Sequence, residues 1–294
     1  MNSRIDLHCH TTASDGALAP ADLLRRASER GIETLAITDH DTLAGYRDVS
    51  ALAAELGIEL ITGIELSCVW SGITIHIVGL NVDPDSAVIR DAESIQTRAR
   101  DERAELIVTR VGKKLGQTID LEAVRGYAGG EAIGRPHIAR YLLDQGWVPD
   151  MRTAFSKYLG SGKVGDVKTH WPEMDDAVRW ITAAGGIPVM AHAHHYKMTR
   201  TKLRACLKDF VAAGGRALEV AYGLMDNNQR GQMAGLAKEF GLLGSCGSDF
   251  HGPNRFGLDL GVMCDFPKDI TPVWSVWQSV AATGDRKELQ QELQ

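Results

Sequence analysis

Two histidines and an aspartate near the start of the chain have the spacing of metal ligands. His8 and His10 flank Cys9 in residues 5–10, a stretch that predicts a strand. Residues two apart in a strand point to the same face, so both imidazoles should project together while Cys9 faces the core. Asp15 follows in the turn just beyond. Imidazole and carboxylate groups gathered in this way are typical of a metal site.

Further candidate ligands accompany later apolar runs, which predict more strands. They are His40, Glu65, His76, His192, Asp249 and His251. Glu65 is predicted to end a strand over 59–64, and His76 to lie within a strand over 73–78. Most candidates stand at or just past the C-terminal end of a predicted strand, where (β/α) barrels carry their active sites. Strands alternate with helix-like segments, the pattern of a parallel α/β fold.

Seven motifs within about residues 4–265 hold these candidates. They are Asp6-Leu7-His8-Cys9-His10, Ser14-Asp15-Gly16, Thr38-Asp39-His40-Asp41, Gly63-Ile64-Glu65, His76, Ala191-His192 and Ser248-Asp249-Phe250-His251. In residue type and order the sequence resembles the PHP (polymerase and histidinol phosphatase) family. The resemblance implies an α/β fold, a distorted (β/α)7 TIM-like barrel of PHP type with a helical insertion.

The resemblance also implies a site for three divalent metal ions. One ion would take His8, His10, Glu65 and Asp249, and a second would take Asp15, His40 and His251. A third would take Glu65, His76 and His192, with Glu65 as a bridge. Nine ligands are also too many for one or two ions that keep open positions. This donor set suits Mn, Fe or Zn; we expect Mn, and the sequence does not choose among them.

Residues 85–166 contain no convincing strand and predict a helical insertion. We therefore expect one barrel formed by residues 1–84 and 167–294, interrupted by a substrate-binding lid. Residues 86–168 hold fourteen Lys and Arg against eleven Asp and Glu, whereas the whole chain has a net charge of −6. A basic lid over an acidic barrel would suit an anionic substrate, although a solvated helical face would have similar charges.

The segment Gly134-Arg135-Pro136-His137 predicts a helix N-terminus that could bind an anion. Backbone N–H groups and the helix dipole attract anions there, and arginine adds a fork that fits phosphate. An ordinary capped helix is the alternative. A similar segment occurs in the PHP branch of TrpH-like proteins and 3′,5′-nucleotide bisphosphate phosphatases, which favours substrate binding by Gly134, Arg135 and His137. Lys163 and Lys168 are weaker phosphate candidates, and Arg98, Arg100 and Arg103 are weaker still.

His194 is a candidate for contact with the substrate. It lies two residues after His192 and would face the same way if the strand continued. It could donate a proton to the leaving group or be only a loop residue. We expect Asp15 and His194 to be the catalytic residues, and Glu219 at most to support the ligands.

These features predict a metal-dependent phosphoric monoester hydrolase. The expected reaction removes the 3′-phosphate of a nucleoside 3′,5′-bisphosphate such as pAp and gives the 5′-monophosphate. Closely spaced metal ions would lower the pKa of a bound water and neutralise the phosphoryl oxygens. The first alternative is a 5′-to-3′ exoribonuclease on short 5′-phosphorylated RNA, and the second is a non-catalytic structural PHP module.

Composition limits the remaining possibilities. Five cysteines without a Cys-x-x-Cys pair favour reduced thiols and a cytoplasmic protein. We expect no signal peptide and no membrane association, because no apolar run approaches the ~18 residues of a membrane span. The modest net charge of −6 gives no reason to expect DNA as a partner. The oligomeric state is not predicted.

Overall fold

Seven strands and nine α-helices form the part of the chain that the structure describes. The structure is a computed structural model, which describes residues 3–128, 133–167, 171–223, 225–253 and 258–277. The strands are β1 (Ile5–Asp6), β2 (Thr34–Ile37), β3 (Glu59–Trp70), β4 (Ile73–Leu80), β5 (Ile187–Met190), β6 (Ala217–Tyr222) and β7 (Leu243–Gly247). The helices are α1 (Pro20–Glu29), α2 (Ala44–Glu55), α3 (Ala87–Leu115), α4 (Leu121–Tyr127), α5 (Arg135–Asp144), α6 (Met151–Ala154), α7 (Met174–Ala183), α8 (Arg200–Ala212) and α9 (Asn227–Glu239).

The seven strands form one sheet in sequence order, β1 to β7, that curls into a nearly closed barrel. The edges meet where the Leu7 N–H donates to the Cys246 carbonyl at 3.1 Å and the Asp249 N–H donates to the His8 carbonyl at 2.8 Å. Cys9 also forms a parallel bridge with Phe250. The predicted α/β barrel is therefore confirmed.

Strand β4 breaks the parallel pattern that the sequence predicts. It pairs antiparallel with both β3 and β5, whereas the other neighbouring strands pair parallel. A tight turn at Ser71 and Gly72, both with positive φ, joins β3 directly to β4 without a helix. The prediction that Glu65 ends its strand is wrong, because β3 continues to Trp70. The antiparallel return of β4 brings His76 beside Ser67, at the same end of the barrel as the other candidates.

Small and branched apolar side chains fill the inside of the sheet. One buried cluster joins residues from β1 to β6 with Val273 and Trp277. The cluster includes Leu7, Ala36, Ile61, Val78, Val189 and Ala217. Burying one such branched side chain stabilises a fold by roughly 1.5–3 kcal/mol, so this layer supports the polar residues above it.

Residues 87–159 are helical wherever the structure describes a regular element. Helices α3 to α6, with a π-helical turn at Phe155–Leu159, enclose a second buried cluster around Ile107, Val111 and Ile138. The N-terminal half of α3 touches the barrel, where Gln96 Nε2 donates to the Ser67 carbonyl at 2.7 Å. No helix within the described ranges has both the length and the apolar character needed to cross a membrane.

Candidate metal centre and anion site

The nine candidate ligands meet at the mouth of the barrel, where the parallel strands end. Four overlapping groups have ligand atoms within 4.8 Å of one another. They are His10, Asp15, His40 and His251; His8, His10 and Asp249; His8, Glu65 and His192; and His40, Glu65 and His76. We call these nine residues the ligand cluster. The structure thus brings together every predicted ligand, although it does not test the division among three ions.

Three residues at this mouth have left-handed backbone conformations two to four residues after the end of a strand. Asp41, His192 and Asp249 have φ values of 62°, 29° and 51°. They follow β2, β5 and β7, so the chain turns sharply where each strand ends. Positive φ is costly for such residues and is concentrated at functional sites. These bends aim His192 and Asp249 into the cluster.

Glu65 lies at the centre of the ligand cluster and is fully buried. Its Oε1 is 3.0 Å from Nδ1 of His76 and 2.9 Å from Nε2 of His192. Three other imidazole nitrogens lie within 3.0–3.3 Å of Oε2 and belong to His8, His10 and His40. The two oxygens therefore face different halves of the cluster, as a bridging carboxylate would.

Several buried atoms of the cluster have no hydrogen-bond partner among the described residues. They include His8 Nε2, both ring nitrogens of His10, Asp15 Oδ1, Glu65 Oε2 and Asp249 Oδ1. A buried polar group without a partner costs about 1–3 kcal/mol. Converging, unpartnered nitrogen and oxygen donors are what a bound divalent cation requires, so the residues present fit such ions.

Mutual attraction between carboxylates and imidazoles controls protonation in the cluster. Burial alone would raise the pKa of Glu65, but the surrounding imidazoles, His40 first, hold it well below its usual range. Burial likewise opposes the charge on His10, yet Asp249 and Glu65 raise the pKa of that imidazole to about 10. For His76, burial outweighs Glu65 and lowers the pKa to about 4. Without metal, the carboxylates are ionised and His10 binds a proton.

Two motif aspartates support the backbone and belong to none of the four groups. Asp39 Oδ1 accepts hydrogen bonds from the Thr11 N–H and the Ser14 hydroxyl, both at 2.7 Å. Asp6, fully buried, accepts from the Ser248 N–H at 2.9 Å and the Gly261 N–H at 2.8 Å. These bonds fix the loops that present Asp15 and Asp249.

A second polar cluster borders the metal-ligand residues and is rich in arginine. It contains Arg100, Arg103, Arg135, His137 and Trp171, which we call the arginine cluster. The guanidinium carbons of Arg103 and Arg100 lie 4.4 and 5.3 Å from the centre of the Trp171 ring. Burial, followed by repulsion from Arg100 and Arg135, lowers the pKa of Arg103 to about 9. Asp15 interacts electrostatically with both Arg135 and His137, so the two clusters adjoin.

The charge of this second cluster is only partly compensated by described residues. Arg100 Nε donates to Asp41 Oδ2 at 2.7 Å, and Arg135 lies 4.0 Å from Asp166. Arg103 Nε donates only to a neutral carbonyl, that of Val167, at 2.7 Å. The indole N–H of Trp171 is buried and has no partner among the described residues. The arrangement can accommodate an anion.

The predicted anion segment begins a helix as expected. Helix α5 starts at Arg135, with Gly134 as its N-cap. The ring of His137 turns back and its Nδ1 accepts from the Gly134 N–H at 3.0 Å, while Arg135 donates to the Leu159 carbonyl at 3.0 Å. These bonds hold both side chains near the cluster, and substrate binding by them stays a prediction. Lys168 lies outside the described residues.

The geometry expected for His194 is wrong, because the strand does not continue beyond His192. Strand β5 ends at Met190, and residues Ala193–His195 form a single 3₁₀ turn. The His194 ring packs edge-on against Tyr222 with centroids 4.7 Å apart. Burial, then repulsion from neighbouring histidines, lowers the pKa of His194 to about 3. The imidazole is therefore neutral near pH 7, and proton donation stays a prediction.

Sequence reasoning underestimated or missed some residues that now appear at the site. Arg100 and Arg103 ranked among the weakest phosphate candidates, and Trp171 and Tyr222 were not considered. Positions 96, 100 and 103 lie on one face of α3, a helical spacing that would have grouped both arginines with Gln96. Spacing gives no comparable signal for Trp171 or Tyr222, which reach the site only through tertiary packing.

The sequence and fold are similar to those of characterised proteins. Residues 6–116 match the PHP domain. A 5′-3′ exoribonuclease of Haemophilus influenzae is 42% identical, over 93% of this chain and 99% of that protein. A 3′,5′-nucleoside bisphosphate phosphatase of Chromobacterium violaceum is 41% identical, over 92% of this chain and 95% of that protein.

The fold comparison gives the same family. An amidohydrolase structure from Chromobacterium violaceum, with bound sulfate and no metal, has a TM-score of 0.85 and 40% identity. The match covers 94% of this chain and 96% of the amidohydrolase chain. Identity at this level over nearly the whole of both chains, together with the converging ligand cluster, places this chain in the PHP family of metal-dependent phosphoesterases.

Proposed function

We propose that this protein removes the 3′-phosphate of nucleoside 3′,5′-bisphosphates such as pAp, giving the 5′-monophosphate and inorganic phosphate. The observation that carries the proposal is that two sites of opposite character lie close enough for Asp15 of one to interact electrostatically with Arg135 and His137 of the other. The ligand cluster suits cations, and the adjoining arginine cluster suits an anion. A small molecule with two phosphate groups could occupy both sites at once.

The ligand cluster would hold three divalent ions, and we propose manganese, with iron or zinc as alternatives. The proposed division is His8, His10, Glu65 and Asp249; Asp15, His40 and His251; and Glu65, His76 and His192. Bound ions would activate water for attack on phosphorus and stabilise charge on the phosphoryl oxygens. The low pKa values of Glu65 and Asp249 keep both carboxylates ionised and ready to bind cations at neutral pH.

The arginine cluster would hold the phosphate that does not react. Arginine binds phosphate through two parallel N–H donors, and low exposure strengthens each charge-assisted bond. Arg103 is only 6% exposed and has no carboxylate hydrogen-bonded to it among the described residues, so a phosphate would supply its counter-charge. Binding energy from this remote group would orient the ester at the other site. Residues 85–166, which supply all three arginines, would then act as the substrate-binding lid.

Two further roles complete the proposal. Asp15 lies 3.2 Å from Nε2 of His251 and also interacts with Arg135, so it borders both phosphate positions. Both ring nitrogens of His194 are buried without a partner among the described residues. His194 would contact the leaving side of the ester and donate a proton there if substrate raised its pKa toward neutrality.

The main alternative is a 5′-to-3′ exoribonuclease on short 5′-phosphorylated RNA. The similarity to a Haemophilus influenzae protein of that name favours it. The same arginine cluster would then bind the 5′-phosphate of a longer chain. A structural PHP module without catalysis is the remaining alternative, and it leaves the nine converging ligands without a chemical role.

The test compares three substrates on manganese-loaded protein: pAp, a short 5′-phosphorylated RNA and a generic aryl phosphate. Arg135→Ala should reduce turnover of pAp far more than that of the aryl phosphate, because only pAp carries a second phosphate. Arg140→Ala is the matched control, since Arg140 lies on the same helix but is exposed.

Each result has a distinct meaning. Rapid phosphate release from pAp, with RNA nearly unchanged, supports the proposal. Comparable degradation of RNA favours the exoribonuclease. Equal losses on pAp and aryl phosphate in Arg135→Ala contradict the remote-phosphate site, and metal binding without hydrolysis of any substrate favours the structural module. An Asp249→Ala variant should be inactive throughout and excludes a contaminating phosphatase.

A further inference from the structure

Strand β6 contains an irregularity beside the ligand cluster. Glu219 pairs with Ser245 and Ala221 pairs with Cys246. Ser245 and Cys246 are consecutive in β7, so Val220 is an extra residue of β6 without a partner of its own. An extra residue of this kind is a β-bulge, which re-aims the side chains that follow it and occurs often beside active sites. Strand β6 pairs with β7, the strand that meets β1 where the barrel closes.

Two side chains on either side of the bulge reach neighbouring ligands. Glu219 and Tyr222 are three residues apart, so in a regular strand they would point to opposite faces. Here Glu219 Oε1 lies 2.7 Å from His8 Nδ1, and the Tyr222 hydroxyl donates to Asp249 Oδ2 at 2.5 Å. Val220 is thus the extra residue between two positions whose side chains both reach the ligand cluster.

Glu219 determines which nitrogen of His8 faces the cluster. A carboxylate at 2.7 Å from Nδ1 holds the ring proton there. Nε2, which lies 3.3 Å from Glu65 Oε2 and 3.4 Å from Asp249 Oδ1, is then the nitrogen left to bind a cation. The second oxygen of Glu219 accepts the backbone N–H of His192, the ligand with left-handed φ. Glu219 thus connects ligand segments from β1 and β5.

Tyr222 determines which oxygen of Asp249 faces the cluster. The hydroxyl binds Oδ2, which leaves Oδ1 directed at the imidazoles. Oδ1 lies 3.1 Å from Nε2 of His10 and has no hydrogen-bond partner among the described residues. A carboxylate fixed in this way offers one oxygen to a cation, and the Tyr222 ring is itself packed against His194.

We propose that the β6 bulge makes Glu219 and Tyr222 a pair of positioning residues for the metal position formed by His8, His10 and Asp249. Glu219 sets the tautomer of His8, and Tyr222 sets the orientation of Asp249. Partners of this kind behind metal ligands typically contribute 10–100-fold in metal affinity or activity. The inference rests on the metal-dependent part of the proposed function and is independent of the substrate.

The test measures metal affinity without substrate, by titrating Mn²⁺ against a chelator. Tyr222→Phe removes one hydroxyl, and Glu219→Leu removes the carboxylate at similar volume. Each substitution should lower the affinity for one of the Mn²⁺ ions by roughly 10–100-fold. Glu219→Gln keeps an oxygen acceptor and should restore part of the loss. Tyr141→Phe, at a buried tyrosine of the insertion core, and Glu59→Gln, at the exposed start of β3, are the matched controls.

A spectroscopic measurement separates positioning from packing. Nitrogen NMR of protein loaded with diamagnetic Zn²⁺ should show His8 with its proton on Nδ1 in the wild type and in Glu219→Gln, and a mixture of tautomers in Glu219→Leu. Mn²⁺ affinities within threefold of the wild type in folded Tyr222→Phe and Glu219→Leu would overturn the inference. So would a Glu219→Gln variant as impaired as Glu219→Leu. If Glu219→Leu does not fold, the affinity of Tyr222→Phe decides alone. Failure of pAp hydrolysis would refute the proposed substrate and leave these results unaffected.

Discussion

The ligand cluster and the arginine cluster adjoin, yet they are assembled in different ways. The ligand cluster comes from the ends of barrel strands, which converge because the sheet closes. The arginine cluster comes from α3, α5 and the segment before α7, which meet only because the insertion packs on the barrel. One presents unpartnered oxygens and nitrogens, and the other presents guanidinium groups that repel one another.

The difference shows how one mouth can hold ligands of both signs. Described residues compensate the charge of the arginine cluster only in part, and the ligand cluster contains buried donor atoms without partners among them, so an anion would stabilise the first and cations the second. Asp15 interacts with members of both clusters. Burial would raise the pKa of Asp15, but His40, His251 and His10 hold it below its usual range. Cations and anions bound side by side would stabilise each other as well as the protein.

The largest expected effect follows from neutralising the centre of the ligand cluster. Glu65→Gln keeps the volume but removes the charge that two halves of the cluster share. Loss of a residue that only hydrogen-bonds to a metal ligand typically costs up to roughly 100-fold in activity. We expect a larger fall for Glu65→Gln, together with a lower content of bound metal. Metal analysis and phosphate release measure both effects. Glu59→Gln, the same change on the same strand, should have neither, and full metal content in Glu65→Gln would contradict the bridging role.

A smaller loss is expected in the arginine cluster. Arg103→Met keeps the stem but removes one charge, and a hydrogen bond to a charged group contributes about 1.5–3 kcal/mol. The KM for pAp should therefore rise roughly 10–100-fold, with metal content unchanged. Steady-state kinetics with pAp and an aryl phosphate test this, because the KM for the aryl phosphate should stay constant. Arg110→Met, at an exposed position of α3, is the control.

The next effect concerns the backbone beneath the ligand cluster. A Cβ at Gly247 would lie 2.2 Å from the Cβ of His8, so Gly247→Ala must displace the segment that carries His8. Overpacking of this kind costs about 1–3 kcal/mol of unfolding free energy. Denaturant unfolding should show this loss together with weaker Mn²⁺ binding. Gly231→Ala, where a Cβ meets nothing within 4 Å inside α9, should leave stability equal or higher.

The last effect is a pH dependence confined to the metal-free protein. The pKa of His10 is raised to about 10 in the fold, from 6.5 in an unfolded chain. Its contribution to stability is complete below pH 6.5 and is lost as the pH rises toward 10. The unfolding temperature of metal-free protein should therefore fall over this pH range, by roughly 2–4 °C for each kcal/mol of unfolding free energy lost. Metal-loaded protein, in which a cation replaces the proton, should lack this fall. A flat profile for metal-free protein would contradict the proposed protonation of His10.

Local spacing in the sequence predicted the ligand cluster well, because its rule is short-range. His8 and His10, two residues apart in the segment just after β1, reach the same cluster, and each later ligand except His76 stands near the end of an apolar run. The same reasoning placed Arg135 and His137 at a helix start. It failed where a chain continues or reverses unexpectedly, as at Trp70 beyond Glu65 and at the turn after His192.

The sequence by itself determined the types of ligand, their order and the barrel that gathers them. Only the tertiary structure decided the antiparallel return of β4, the meeting of Arg100, Arg103 and Trp171, and the bulge between Glu219 and Tyr222. The physical reason is distance along the chain. Periodicity reports which face a residue takes within one element, whereas packing between elements depends on shape and charge summed over the whole fold.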